Sequence, residues 1–422
     1  MTRRITQLAC LLACLLVAAA ASAEVLPMVK PEQAGFSADR LARLARTLQS
    51  EIDQKRMPGA VVLIARRGQI GYFESFGKLD PAGNSAMPKD AIFRIYSMTK
   101  PWTSVAVMML VEEGRLVLSD PVSKFVPPLT KLDVAVERTD PTTGKTVTAL
   151  EPAQREITIQ DLLRHTSGFT YGFRTTKVVV REAYAKHAID SADTTNAGLI
   201  DRIAKAPLAH QPGTVFEYGR STDVLGRVVE VVSGKTLGRF FEERIFRPLK
   251  MVDSAFHVPA DKHARLAQAF SKDVLSGRDV SMLKVTVPPT YEAGGQGGVA
   301  TAMDYARFAQ MMLGRGALDG TQLLARHTVD FMTSDHLGKI RDTSRTNTGY
   351  GFGLGFAVRV DTGVATSPGS VGDYNWAGAG GTYFWVDPKE QLVAVLMAQT
   401  PGEIRTYYRT LTRDLVYQAL LD

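Results

Sequence analysis

Strand-like segments stand at the two ends of this chain and helical ones fill its middle, an order that limits the fold more than any single motif does. Near the N-terminus Gly59 opens an apolar run over residues 60–65, Arg67-Gly68 marks a turn, and a second run covers 70–76. That is the pattern of a β-hairpin. Near the C-terminus, strand-like segments cover 352–360, 382–387 and 392–398, and a final helix is expected over 403–421. Helical signals dominate from Ser97 to about residue 270. The economical solution is one α/β domain assembled from both termini, residues 24–90 and 290–422, with an all-helical domain, 91–289, inserted between its halves. Its sheet would be antiparallel and flanked by the terminal helices, and a cleft between the two parts is the expected place for a site.

Local signals fill in this frame. Ser37 is placed to cap a helix whose apolar face is Leu41, Leu44, Ala45, Leu48 and Ile52. Thr158 and Asp161 form a capping box before Leu162-Leu163, which runs into His165-Thr-Ser-Gly168. Residues 134–156, polar and rich in Thr, Pro and Glu, read as a surface excursion. A helix over 224–232 ends at Ser233-Gly234. The run Gly294-Gly-Gln-Gly-Gly298 leads to a helix capped by Thr301 and Asp304, with Tyr305, Phe308, Ala309 and Met312 facing inward.

Residues 1–23 read as a signal peptide: Arg3 and Arg4, an apolar run over 8–21, then Ala21-Ser22-Ala23, with cleavage before Glu24. The apolar run ahead of Cys14 is too short for a lipoprotein signal. Both cysteines, Cys10 and Cys14, fall in the removed segment, so the mature chain needs no disulfide and has no thiol nucleophile. A periplasmic or secreted location follows, and no later apolar stretch reaches the length of a membrane span. Without Arg3 and Arg4 the chain carries 48 basic and 43 acidic residues, spread along its length, which speaks for a solvated surface and against nucleic-acid binding. The 7 histidines show no ligand spacing, so no metal or cofactor is implied, and the sequence assigns no oligomeric state.

Chemistry concentrates in residues 91–102, Ala-Ile-Phe-Arg-Ile-Tyr-Ser-Met-Thr-Lys-Pro-Trp. A β-favouring run stops here and a helical pattern begins, with Ser97 as a good cap and Pro101 where only a helix start tolerates it. Residues three apart on a helix share a face, so Ser97 and Lys100 bring hydroxyl and amine together. A helix N-terminus also offers backbone N–H groups to a developing oxyanion. Lysine can act as a base there if burial or a neighbouring cation lowers its pKa. The spacing alone is weak evidence, since Ser75-Phe-Gly-Lys78 and Ser281-Met-Leu-Lys284 repeat it, but neither of those opens a helix.

Two further constellations matter. Tyr218 stands on a loop, Pro212-Gly-Thr-Val-Phe-Glu-Tyr-Gly-Arg220, just ahead of a helix, where a phenol can reach a cleft and pass a proton; a packed ring is the bland reading. Asn375-Trp-Ala-Gly-Ala-Gly-Gly-Thr382 puts small residues at a strand, where backbone N–H groups can approach a substrate, or where a bulge or tight packing requires them.

Ser97-x-x-Lys100, the Tyr218 loop and Trp376-Ala-Gly378, in that order, resemble the penicillin-recognising serine hydrolases. The look is nearest to family VIII carboxylesterases, which are similar to class C β-lactamases. Supporting runs are Ser-Met-Thr-Lys-Pro at 97–101, His165-Thr-Ser-Gly168 with Thr170-Tyr-Gly172, Asp223-Val-Leu-Gly226 and Gly381-Thr-Tyr-Phe-Trp-Val-Asp387. The resemblance implies the β-lactamase/transpeptidase-like α/β fold and an acyl-enzyme mechanism. Ser97 would be the nucleophile, Lys100 its base and Tyr218 the relay to the leaving alcohol, with the amides of Ser97 and Ala379 as oxyanion hole. A Ser-His-Asp triad is the rival, but no Gly-x-Ser-x-Gly elbow exists in the chain.

Two departures from the family pattern bear on substrate. Trp376 and Ala377, ahead of Gly378, replace the Lys-Thr pair that would grip a carboxylate, which favours a neutral small-molecule ester or amide. Arg220 stands where the tyrosine motif has asparagine, and would either depress the Lys100 pKa or point to solvent. Phe169, Tyr171, Phe173, Tyr350 and Trp376 are candidates for an apolar pocket. A carboxylesterase is the favoured reading, a β-lactamase or D-amino-acid peptidase the second, and a non-catalytic binder or sensor the third.

Overall fold

The structure is a computed structural model that describes residues 26–342 and 348–422. The expected signal peptide therefore lies outside the described residues.

Helix α1, Ala38–Asp53, starts where the Ser37 hydroxyl accepts a hydrogen bond from the Arg40 amide at 3.3 Å. Strands β1, Gly59–Arg66, and β2, Gln69–Gly77, form the expected hairpin. Its turn residues Arg67 and Gly68 both have positive φ, 54° and 74°, the geometry that matches strand twist. Helices α2, Thr99–Glu112, and α3, Ser221–Ser233, follow, and Gly234 closes the second at φ 74°. Thr301 caps α4, Ala302–Leu313, by accepting from the Asp304 amide at 3.1 Å. The C-terminal part supplies β3, Tyr350–Phe352, β4, Ala357–Arg359, β5, Tyr374–Ala377, β6, Tyr383–Asp387, β7, Leu392–Ala398, and helix α5, Ile404–Tyr417.

These seven strands make one antiparallel sheet in the order β3-β4-β5-β6-β7-β1-β2. Its first and last strands in sequence are neighbours, with Ala60 opposite Ala398 and Val62 opposite Leu396. The period-2 alternation of side chains deals each strand's residues to two cores. Val61, Leu63, Val393, Val395 and Phe384 pack toward α2 and α4. Val62, Ile64, Leu396 and Trp385 pack beneath α1 and α5, against Leu44, Leu48, Tyr408 and Val416. Each such side chain, fully removed from water, stabilises the fold by about 1.5–3 kcal/mol. Helix α2 has no solvent face along most of its length: residues 99–110 are all buried. It runs through the middle of the molecule, as a helix apolar all round must.

Residues 134–156 lie largely at the surface as expected, and there they form a regular hairpin, Asp133–Thr139 paired with Thr146–Pro152. Two local expectations are corrected. The segment 352–360 is two strands, β3 and β4, separated by Gly353 and by Gly355 at φ 100°. The final helix stops at Tyr417, before residue 421. Among the described residues, no helix is long and apolar enough to cross a membrane.

Candidate active site

Ser97 lies in a single 3-10 turn, Tyr96–Met98, that runs straight into α2. Its hydroxyl caps nothing, contrary to the expected helix start; the helix begins at Thr99, and Met98 at the cap position makes no side-chain bond. Thr99 does the tying instead. Its Oγ1 donates to the Tyr96 carbonyl at 2.6 Å and accepts from the Gly298 amide at 2.9 Å. Tyr96 is held at φ 46°, a left-handed conformation that costs a non-glycine residue roughly 1–2 kcal/mol. The surroundings enforce it: the Ile95 amide donates to Gly298 O at 3.0 Å, and the Tyr96 hydroxyl accepts from the Leu283 amide at 3.1 Å. Strain held this way leaves the Ser97 hydroxyl facing the cleft.

Lys100, 1% exposed, is one helical turn further on. Its Nζ donates to the Gly295 carbonyl at 2.6 Å and lies 3.3 Å from Ser97 Oγ and 3.3 Å from the Tyr171 hydroxyl. It also stands 4.6 Å from the Tyr218 ring centre. Burial pulls the lysine pKa down, but Tyr171, Tyr218 and Asp223 outweigh it, and the net shift is upward. The lysine therefore rests as an ammonium, the reverse of the lowered pKa sought from sequence.

Arg220 does not point to solvent. It is 2% exposed, with Nη2 2.9 Å from Asp190 Oδ1 and Nη1 3.6 Å from Asp223 Oδ2, and its guanidinium lies 5.0 Å from the Tyr171 ring centre. Asp223 Oδ1 in turn accepts from the Tyr291 hydroxyl at 2.8 Å and the Gly295 amide at 3.1 Å. The chain from Arg220 through Asp223 to Gly295 thus fixes the carbonyl that holds Lys100. Burial pushes the Tyr171 phenol up to about 12, against the pull of Lys100.

Tyr218 sits between a short strand, Val215–Phe216, and α3. Its ring is caged by His165 at 4.9 Å, Trp376 at 5.3 Å and Tyr171 at 5.7 Å between centres. His165 is buried, and both burial and Lys100 drive its pKa well below the ordinary value, so it is a neutral wall. Trp376 belongs to the same aromatic group, 5.2 Å from Phe352. Gly378 ends β5 where no other residue fits: a Cβ there would lie 2.3 Å from both the Ile95 carbonyl oxygen and Thr382 Oγ1. That close approach sets Ala379 beside the Ser97 turn, exposed to the cleft.

A cleft of about 760 Å³ joins these residues. Ser97, Tyr218, Ala379, Trp376, Ala377, Gly378, Tyr171 and Arg220 all line it, and Lys100 lies directly behind Ser97. Phe173 and Tyr350 line it too, whereas Phe169 is core, 1% exposed. Sequence reading missed Arg174, Arg405 and Arg409, which also line the cleft. The signal was available. Arg405, Arg409 and Arg413 recur every four residues on α5 and so share one face, an arrangement of like charges that disfavours a helix unless something else requires it. The look-alike serines are elsewhere: Ser75 lies in β2, and Ser281 in an irregular connection.

A Beta-lactamase family model matches residues 44–417. The chain belongs to the β-lactamase family. Protein Rv1367c of Mycobacterium tuberculosis is 33% identical over 366 residues, covering 84% of this chain and 88% of that protein. Esterase EstB of Burkholderia gladioli is 28% identical, with coverage of 90% and 96%. Among solved structures, EstCE1, "a hydrolase with promiscuous acyltransferase activity", superposes with a TM-score of 0.72 at 25% identity, over 90% of this chain and 99% of that one. The family's mixed α/β fold is the one described above, and with esterase relatives beside the family match this chain is a serine hydrolase of the esterase- and β-lactamase-related kind.

Proposed function

We propose that the chain is an exported carboxylesterase that works through a Ser97–Lys100–Tyr218 acyl-enzyme mechanism. The observation that carries this reading is Lys100 Nζ at 3.3 Å from Ser97 Oγ and 4.6 Å from the Tyr218 ring centre. Ser97 Oγ attacks the ester carbonyl, whose oxygen is received by the Ser97 and Ala379 amides. Because Lys100 rests as an ammonium, it takes the serine proton in step with giving one of its own to the Tyr218 oxygen. The Tyr218 hydroxyl proton passes at the same time to the departing alkoxide. The net transfer is one proton from Ser97 to the leaving alcohol, and water then releases the acid by the reverse route.

Export rests on the Arg3-Arg4, apolar and Ala21-Ser-Ala23 sequence. The ester preference is supported by the indole and methyl groups of Trp376 and Ala377 where a β-lactamase of this family grips a carboxylate, and by the similarity to Esterase EstB. A second reading, D-amino-acid peptidase or β-lactamase, is favoured by the 28% identity to a putative D-alanyl-D-alanine carboxypeptidase of Escherichia coli O157:H7. Steady-state rates on short-chain p-nitrophenyl esters and on penicillins and cephalosporins separate the two. Ester kcat/KM should exceed that of any β-lactam by at least roughly a hundredfold, about 2.7 kcal/mol. A β-lactam rate equal to or above the ester rate overturns the esterase reading.

A further inference from the structure

The cleft holds more positive charge than its own carboxylates neutralise. Of the described residues lining it, five are arginines and one, Asp190, is a carboxylate. Asp190 is taken by Arg220, and Arg413 is bound to buried Asp373. The remaining three, Arg174, Arg405 and Arg409, form no salt bridge among the described residues.

Two of them touch groups of the reacting centre. Arg174 comes from the Tyr171 loop, and its guanidinium lies 5.6 Å from the Tyr218 ring centre. Arg409 reaches from α5 and donates to the Gly378 carbonyl, one residue from Ala379, while its Nε is buried without a partner. Arg405, one turn earlier on α5, donates to the Gly402 carbonyl, its nearest acidic influences being Glu403 and Asp273. The three also oppose one another. Burial together with Arg405 pulls Arg409 down to about 10, and burial together with Arg174 lowers Arg405. Unpaired, partly desolvated cations are costly, and a planar guanidinium answers a carboxylate in bidentate fashion.

We propose that the substrate of this site is a carboxylate-bearing ester, its anion held by Arg174, Arg405 and Arg409. This rests on the ester reading above and replaces the neutral ester expected from Trp376 and Ala377. The anion grip has moved from the strand to α5 and the Tyr171 loop.

The test compares p-nitrophenyl hydrogen succinate with p-nitrophenyl butyrate, acyl groups of similar length that differ in a terminal carboxylate. The wild type at low salt should favour the succinate at least about tenfold in kcat/KM, the scale of a charge-assisted hydrogen bond. The preference should shrink as NaCl is raised. Arg174→Gln/Arg405→Gln should bring the ratio toward one, and the ratio, not either rate alone, is the readout. Equal or lower succinate rates in the wild type, or a ratio unmoved by the double variant, overturn the proposal while leaving the esterase standing. Inorganic phosphate that inhibits both esters equally, with no succinate preference, assigns the arginines to a free anion and also overturns it. Failure to turn over either ester overturns the esterase reading, and this inference with it.

Discussion

Lys100 is enclosed by two phenols, the Gly295 carbonyl and the Ser97 hydroxyl, and its shift is upward in spite of complete burial because Tyr171, Tyr218 and Asp223 favour its charged form. Under the proposed mechanism its worth lies in exchanging protons, not only in carrying charge. Lys100→Arg keeps the charge but gives up a group able to lose its proton near neutral pH. This variant should lower kcat by roughly a hundredfold to ten-thousandfold with little change in KM, measured on a p-nitrophenyl ester. Retention of most of the kcat would reduce the lysine to an electrostatic partner and require another base. Ser97, Lys100 and Tyr218 were singled out through the order of their motifs, which resembles the family's, since the local signals alone were weak; the structure gathers them at one cleft. The direction of the lysine's shift was not legible, because Tyr171 and Asp223 reach it from segments 71 and 123 residues away. Arg220 shows the same limit: its partner Asp190 lies 30 residues earlier.

At the level of elements, the site depends on one contact between the end of β5 and the turn before α2. Gly378 lies against the Ile95 carbonyl with no room for a side chain. Gly378→Ala should therefore push β5 away from that turn, destabilising the protein by about 1–3 kcal/mol as overpacking does. It should also lower kcat tenfold or more by displacing the Ala379 amide from the Ser97 turn. A thermal melt and a rate measurement on the same preparation check both; an unchanged melting temperature with unchanged kcat would show that the contact is looser than the geometry requires. The sheet was legible because its central strands are short, continuous apolar runs, buried on both faces and bounded by glycine or turn residues. The hairpin at residues 133–152 was not, because its half-exposed strands have the composition of a loop. The 3-10 turn at Ser97 was hidden for another reason: Thr99, two residues on, takes the tying role that a cap serine would have had.

Across the whole molecule, the pairing of β1 with β7 joins the N-terminal and C-terminal parts of the fold in one sheet, and the cleft draws on segments more than 300 residues apart, from Tyr96 to Arg413. Under the proposed mechanism Ser97 is the group that becomes acylated. The most direct measurement is intact mass after exposure to a fluorophosphonate, followed by peptide mapping. The account predicts one adduct on the peptide holding Ser97, none in Ser97→Ala, and normal labelling in Ser75→Ala and Ser281→Ala. A single adduct on another serine, or full ester hydrolysis by Ser97→Ala, would contradict it.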